Sequence, residues 1–170
     1  MDIRPKSAGD QDWICKLLTE HWGGTVVVAH GERFHANALP ALVAGDRQGL
    51  ATYRIAAGGL EAELVTLDAV APGRGAGTAL IEGLVRVLRA QGIAVLRVTT
   101  TNDNLGALRF YRRRGFRIAA VRPDAVAASR RLKPGIPEVG EYGIPIRDEI
   151  ELELTLSPDR LAWGRLFMTD

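Results

Sequence analysis

The chain has 170 residues, 46% of them hydrophobic and 25% charged, the balance of a globular domain able to bury a core without disulfide or metal staples. Cys15 is the only cysteine, which excludes an intrachain disulfide, leaves no cysteine cluster for zinc and fits a reducing cytoplasm. A formal charge of +2 does not by itself point to a polyanionic partner, and no apolar run approaches the ~20 residues of a membrane-spanning helix.

The length predicts one domain over residues 1–170. The opening Met1-Asp2-Ile3-Arg4-Pro5-Lys6 lacks the apolar stretch of a signal peptide. Residues 8–22 read as a helix, with Trp13, Ile14, Leu17 and Leu18 at helical spacing and Gly23-Gly24 ending it. Residues 25–29 are a short β-branched run, and 30–40 read as a loop. Residues 42–44 and 50–56 form a predicted hairpin around Gly45-Asp46, and 61–70 the next strand. A helix over 78–90 carries the stripe Leu80, Ile81, Leu84, Val87 and Leu88, with Gly92 as its left-handed cap.

Residues 93–99 read as a strand buried on both faces. A helix over 104–114 closes at Gly115, and a strand follows over 116–121. Asp124 is the predicted cap of a short helix through Leu132. In the last strand, 149–156, Ile150, Leu152, Leu154 and Leu156 alternate with Glu149, Glu151, Glu153 and Thr155. This order predicts a mixed sheet with helices packed on it.

The sharpest local feature is Val70-Ala71-Pro72-Gly73-Arg74-Gly75-Ala76-Gly77-Thr78, which leaves a strand and enters a helix. Alternate glycines let backbone N–H groups approach a ligand, and the helix N-terminus favours a pyrophosphate. A P-loop would need a lysine before Thr78, and a dinucleotide fingerprint lacks its third glycine.

Gly75-Ala76-Gly77 resembles the second half of the Gln/Arg-x-x-Gly-x-Gly/Ala loop of the GNAT acetyltransferases, whose first position falls here on Pro72. Asn104-Leu105-Gly106-Ala107-Leu108-Arg109-Phe110-Tyr111-Arg112-Arg113-Arg114-Gly115-Phe116 resembles that superfamily's Asn-x-x-Ala-x-x-x-Tyr-x-x-x-Gly-Phe. The resemblance implies an α+β fold with a mixed, mostly antiparallel central sheet flanked by helices. It implies an N-acetyltransferase that binds acetyl-CoA as co-substrate, needs no metal, and passes the acetyl group directly to a small-molecule or peptide amine.

On the same resemblance, Arg74, Gly75, Ala76, Gly77 and Thr78 hold the CoA pyrophosphate. The backbone of Asp68, Ala69 and Val70 pairs with the pantetheine arm, and Asn104 touches that arm or caps its helix. Tyr111 is the expected general acid for the departing thiolate. Glu63 falls where some members carry a catalytic glutamate; a solvent-facing strand residue is the competing reading, with Glu61 at the same parity able to pair with nearby cations, and Asp68 is an alternative base. His21, His30 and His35 read as surface histidines before they read as bases. Arg109, Arg112, Arg113, Arg114 and Arg117 read first as a solvated face, then as a CoA-phosphate patch, and last as a nucleic-acid surface. Residues 122–148, with 30–37, are expected to shape the acceptor pocket, where Arg130, Arg131 and Arg147 would recognise an acidic acceptor. A non-catalytic acyl-CoA sensor is the alternative function. The apolar tail, 161–168, fits docking on its own core or on a second copy as a homodimer.

Overall fold

The computed structural model describes residues 1–156, so the apolar tail and its predicted docking lie outside the described residues. In chain order the elements are β1 (Ile3–Pro5), α1 (Gln11–Trp22), β2 (Val26–Ala29), β3 (Glu32–His35), β4 (Ala41–Ala44), β5 (Gly49–Ile55), β6 (Glu61–Ala69), α2 (Ala76–Ala90), β7 (Val95–Thr101), α3 (Leu105–Arg112), β8 (Arg117–Arg122), α4 (Val126–Leu132) and β9 (Glu149–Thr155). Seven strands form one sheet in the order β1-β4-β5-β6-β7-β9-β8, and β2 and β3 form a separate hairpin. Every neighbouring pair is antiparallel except β6 and β7.

Two strands, β1 and β3, were not expected from the sequence. β1 is a three-residue edge strand containing Pro5, too short for a period and punctuated by a residue that reads as a breaker. Its Ile3 packs on α2, where a Cβ at Gly83 would lie 2.7 Å from Ile3 Cγ2. The stretch read as a loop after Ala29 contains β3, in which Phe34 alone is buried. Ala29 pairs with Glu32, so His30 and Gly31 are the whole turn. Their φ values of 39° and 78° are both positive, the requirement of a hairpin turn whose twist matches its strands. At α4, Asp124 is not a side-chain cap; its own φ is 60°, and its N–H donates to Asp148 Oδ1 at 2.9 Å.

The sheet has a different partner on each face. One core joins Leu80, Ile81, Leu84 and Leu88 of α2 and Tyr111 of α3 to Leu64, Leu96, Val98 and Leu152. The other packs Ile14, Leu17 and Leu18 of α1 on Val43 and Leu50, with Val27 of the hairpin beside them. Burying one such leucine removes it from water for about 2–3 kcal/mol. β7 therefore buries one face in the α2 core but carries Arg97 and Thr99 on a half-covered one, unlike the doubly buried strand expected. The glutamates of β9 do alternate away from the core, yet two are themselves buried, Glu151 beneath Arg97 and Arg122 and Glu149 beneath the Ser129 hydroxyl and the His30 N–H.

Entry into α1 is fixed by Asp10, whose side chain is 1% exposed. Its carboxylate accepts two bonds from the Arg4 guanidinium (2.7 and 3.0 Å), one from Arg47 Nε (3.1 Å), and bonds from the N–H and hydroxyl of Ser7 (2.9 and 3.0 Å). The Arg4 pair, then the Ser7 N–H, hold this carboxyl far below the usual range. A depressed native value contributes stability that is present above the unfolded value near ~3.9 and is lost as pH falls. Asp10→Asn is therefore expected to lower stability at neutral pH by about 1–3 kcal/mol. It should also flatten the fall in stability below pH ~4, as urea titrations across pH would show.

Candidate active site

β6 and β7 pair only from Glu61↔Val95 to Leu64↔Val98 and then part. At the same point β6 carries a bulge: Tyr53 opposes Leu64 and Thr52 opposes Thr66, leaving Val65 as an extra residue. The bulge reverses the side-chain alternation. Ala62 and Leu64, then Leu67 and Ala69, pack toward α2. Glu63 and Val65, then Thr66 and Asp68, belong to the α1 face.

A cleft of about 480 Å³ opens on the α2 side of this gap. Leu67, Ala69, the glycine loop and Tyr111 are among its walls. Gly73 and Gly75 adopt φ of 80° and 85°, which L side chains rarely reach, and Gly75 immediately precedes α2. A Cβ at Gly77 would lie 3.2 Å from the Phe110 ring, so glycine lets α2 and α3 meet beside the cleft. The Arg114 guanidinium lies 3.5 Å over the Phe110 ring, donates to the Phe110 carbonyl at 2.8 Å and to the Thr78 hydroxyl, and reaches the same cleft. A helix N-terminus, two left-handed glycines and a guanidinium suit a phosphate-bearing ligand whose extended arm follows the free edge of β6.

Asn104 caps α3: its Oδ1 accepts the Ala107 N–H at 3.0 Å. One face of the helix then carries Tyr111 inward, 7% exposed, with ring centroids 5.3 Å from Phe110 and 5.2 Å from Phe116. Burial, and secondarily the charge of Asp68, raise the Tyr111 hydroxyl above the usual phenol range. It stays protonated near neutrality and is a donor at the wall of the cleft.

The opposite face holds a second cavity of about 360 Å³, bordered by His30, Arg54, Glu61, Glu63, Arg97 and Glu151. Glu63 Oε1 lies 2.7 Å from His30 Nε2, and Oε2 accepts from Arg54 Nε at 2.9 Å. Burial alone would raise the Glu63 carboxyl, but the His30 bond and the Arg54 guanidinium outweigh it and hold it low. Arg97 donates to Glu151 (2.7 Å) and Glu61 (3.0 Å), and Arg122 donates to Glu151 (2.8 Å). Nearer the gap, Asp68 is buried and accepts from Trp22 Nε1 at 3.0 and 3.1 Å, with His21 Nδ1 at 2.9 Å. Burial pushes the Asp68 carboxyl up against these partners.

Ala69, Gly75, Ala76, Gly77, Thr78 and Tyr111 all border the first cleft. Arg74 and Val70 border a separate depression with Asp46 and Gln48, and Asn104 uses its side chain as a cap. Arg114, from the basic cluster read as a solvated face or a CoA-phosphate patch, reaches this cleft, and Phe110, for which the sequence suggested no role, joins it there; the glycine at 77, facing an aromatic helix, was the available signal. His30 and His21, which read in the sequence as surface histidines, instead bond to Glu63 and Asp68. Their partners are 33 and 47 residues away, so no local pattern marks them. Arg130 differs from its expected role in acceptor recognition: Nη2 donates to the carbonyls of Pro137 and Ile146, both at 2.7 Å, which fastens residues 122–148 together. Lys133 fastens the same segment to α1 and β2 by donating to the carbonyls of Trp22 (2.6 Å) and Val26 (2.8 Å). Among the described residues no helix is long and apolar enough to cross a membrane, and no group of three or more His, Cys, Asp or Glu side chains could hold a metal ion.

The model of the acetyltransferase (GNAT) family matches residues 16–116. The uncharacterized protein YdhI of Bacillus subtilis (strain 168) is 36% identical over 154 residues, covering 88% of this chain and 95% of that protein. The solved IAA acetyltransferase from Bacillus cereus ATCC 14579 has a similar fold, with a TM-score of 0.66 at 20% identity over 91% of this chain and 99% of that one. A GNAT family acetyltransferase from Elizabethkingia anophelis, solved with acetyl-CoA bound, gives 0.61 at 18% identity over 91% and 97%.

Gly75→Ala places a Cβ in the left-handed region and is expected to cost about 1–2 kcal/mol of stability. Calorimetry should show CoA binding weakened at least ~10-fold, the equivalent of about 1.4 kcal/mol, while the fold persists in circular dichroism.

Proposed function

Because the chain belongs to the acetyltransferase (GNAT) family, we propose that it transfers the acetyl group of acetyl-CoA directly to an amine, both substrates being bound together. The observation that carries this reading is the gap between β6 and β7. It lies between a cleft suited to an elongated phosphate-bearing ligand and a polar cavity on the other face of the sheet. A thioester in the gap would present its carbonyl to an amine arriving from that cavity. The acetyl-CoA bound to the Elizabethkingia anophelis acetyltransferase supports the choice of co-substrate.

The N-terminus of α2, with Gly75, Ala76, Gly77 and Thr78, takes the pyrophosphate, and Arg114 rather than Arg74 supplies the cation beside it. The backbone of Asp68, Ala69 and Val70 pairs with the pantetheine arm, and Asn104 serves by capping the helix that carries Tyr111. An N–H of β6 left without a strand partner stabilises the carbonyl oxygen as it gains charge. As the C–S bond breaks, Tyr111 donates its proton to sulfur. A thiol is the stronger acid, so this donation proceeds only with collapse of the tetrahedral intermediate. The raised Tyr111 value makes that coupling stricter and keeps the proton in place beforehand. The amine's own proton leaves on the Glu63 side of the second cavity.

Tyr111→Phe is expected to lower thiol release from acetyl-CoA with a primary-amine acceptor by about 100-fold, with acetyl-CoA affinity held. Unchanged turnover would remove the tyrosine from the chemistry. Failure of the wild-type chain to bind acetyl-CoA would overturn the whole reading.

A further inference from the structure

Glu63 stands where the proposed reaction needs a proton acceptor, but both of its oxygens are already engaged, by His30 Nε2 and Arg54 Nε, and the side chain is only 14% exposed. Both contacts favour an ionised, weakly basic carboxylate. The imidazole beside it has the complementary arrangement. Its Nε2 is committed to Glu63, its Nδ1 has no hydrogen-bond partner among the described residues, and the ring borders the second cavity.

The ring is held from several sides. His30 occupies the first position of the two-residue β2–β3 turn, with its backbone in the left-handed region. Its N–H donates to both oxygens of buried Glu149 (3.0 and 3.3 Å), which is itself held by the Ser129 hydroxyl of α4 at 3.0 Å. The Phe34 ring stands edge-on at 5.5 Å. A carboxylate on one nitrogen, a fixed ring and an open second nitrogen together form the orienter–base arrangement of general-base catalysis.

We infer that His30 is the general base of this site, taking the proton of the acceptor amine at Nδ1, with Glu63 as the positioning residue that fixes the Nε2–H tautomer and stabilises the imidazolium. This assignment rests on the acetyl-transfer reading above. As the N–C bond forms, the amine nitrogen becomes acidic and passes one proton to Nδ1. The C–S bond breaks with its electron pair on sulfur, and sulfur receives the Tyr111 proton. His30 then loses its proton to solvent through the cavity, and Tyr111 regains one from solvent.

The groups facing the imidazole set its titration. The Glu63 bond raises it most; burial opposes; the charges of Glu63 and Glu32 raise it further, and Arg54 lowers it, leaving it above the ordinary histidine value. Glu149 reaches only the backbone N–H, while Arg97, Arg122 and Glu151 lie around the same cavity. A base must be neutral to act, so kcat/KM rises with pH through a value above ~6.5.

The test measures thiol release from acetyl-CoA across pH with spermidine, kanamycin and an alanine-initiated peptide as probe amines. Wild type, His30→Gln and Glu63→Gln are compared. Glutamine at position 30 keeps a donor for Glu63 but has no titratable base. The expected result is a kcat loss of about 100-fold in His30→Gln and disappearance of the acid limb, with KM for acetyl-CoA and the melting temperature held. Glu63→Gln loses less rate and moves the limb to lower pH. In wild type, nitrogen-15 histidine spectra should show the Nε2–H tautomer at His30. A His30→Gln enzyme with the wild-type rate and limb, or an Nδ1–H tautomer, overturns this assignment alone. Wild-type protein that releases no thiol with any probe overturns the acetyl-transfer reading and this assignment with it. Should His30→Gln fail to fold, the wild-type tautomer decides.

Discussion

Val65 has no partner of its own on β5, and that one extra residue in β6 sets most of the site's geometry. A bulge increases local twist and turns a strand from its neighbour, and here the β6–β7 ladder ends at Leu64, just before it. It also shifts the side-chain alternation by one. Without it, Asp68 would point at Leu80 and Leu84 of α2, where a carboxylate has no partner, and Leu67 would point at the charged face. With it, Leu67 and Ala69 wall the cleft while Asp68 turns to Trp22 and His21 on the opposite face.

The charged face is possible because its acidic groups are answered from other elements. Glu63 meets His30 and Arg54; Glu151 meets Arg97 and Arg122; Asp68 meets Trp22 and His21; Glu149 meets Ser129 and the His30 N–H. Removing one partner of such a pair costs more than the pair itself contributes, because the other is left desolvated. The face is correspondingly rigid, with side chains held in place before any ligand arrives. Asp68 couples it to the cleft, since its charge helps keep Tyr111 protonated across the sheet.

The residues legible in advance share one property: their meaning is local. The glycine loop requires left-handed φ within a few residues, and Gly73 and Gly75 adopt it. The segment from Asn104 to Phe116 reads as a capped helix with one inward aromatic face, and the cap at Asn104 and the burial of Tyr111 and Phe116 follow that pattern. His30 was not legible, because the hairpin that carries it has one buried residue in its second strand and its partner Glu63 lies four strands later in the chain. The place of Arg130 was illegible for a related reason: its basic run reads as a recognition patch, and only the fold brings the carbonyls of Pro137 and Ile146 to it.

By itself the sequence determined the helices and strands from β4 onward, the phosphate-suited loop before α2 and the tyrosine on the inner face of α3, but neither β1 nor β3. Period two, period 3.6 and the left-handed preference of glycine act over a few residues and need no partner. Tertiary structure alone decided that β6 parts from β7 at the bulge and which face of the sheet each acidic group takes. It also decided that an imidazole from a hairpin turn closes on Glu63. Those outcomes are contacts between segments tens of residues apart, chosen by competition for burial and for charge partners across the whole fold, and no local period records them.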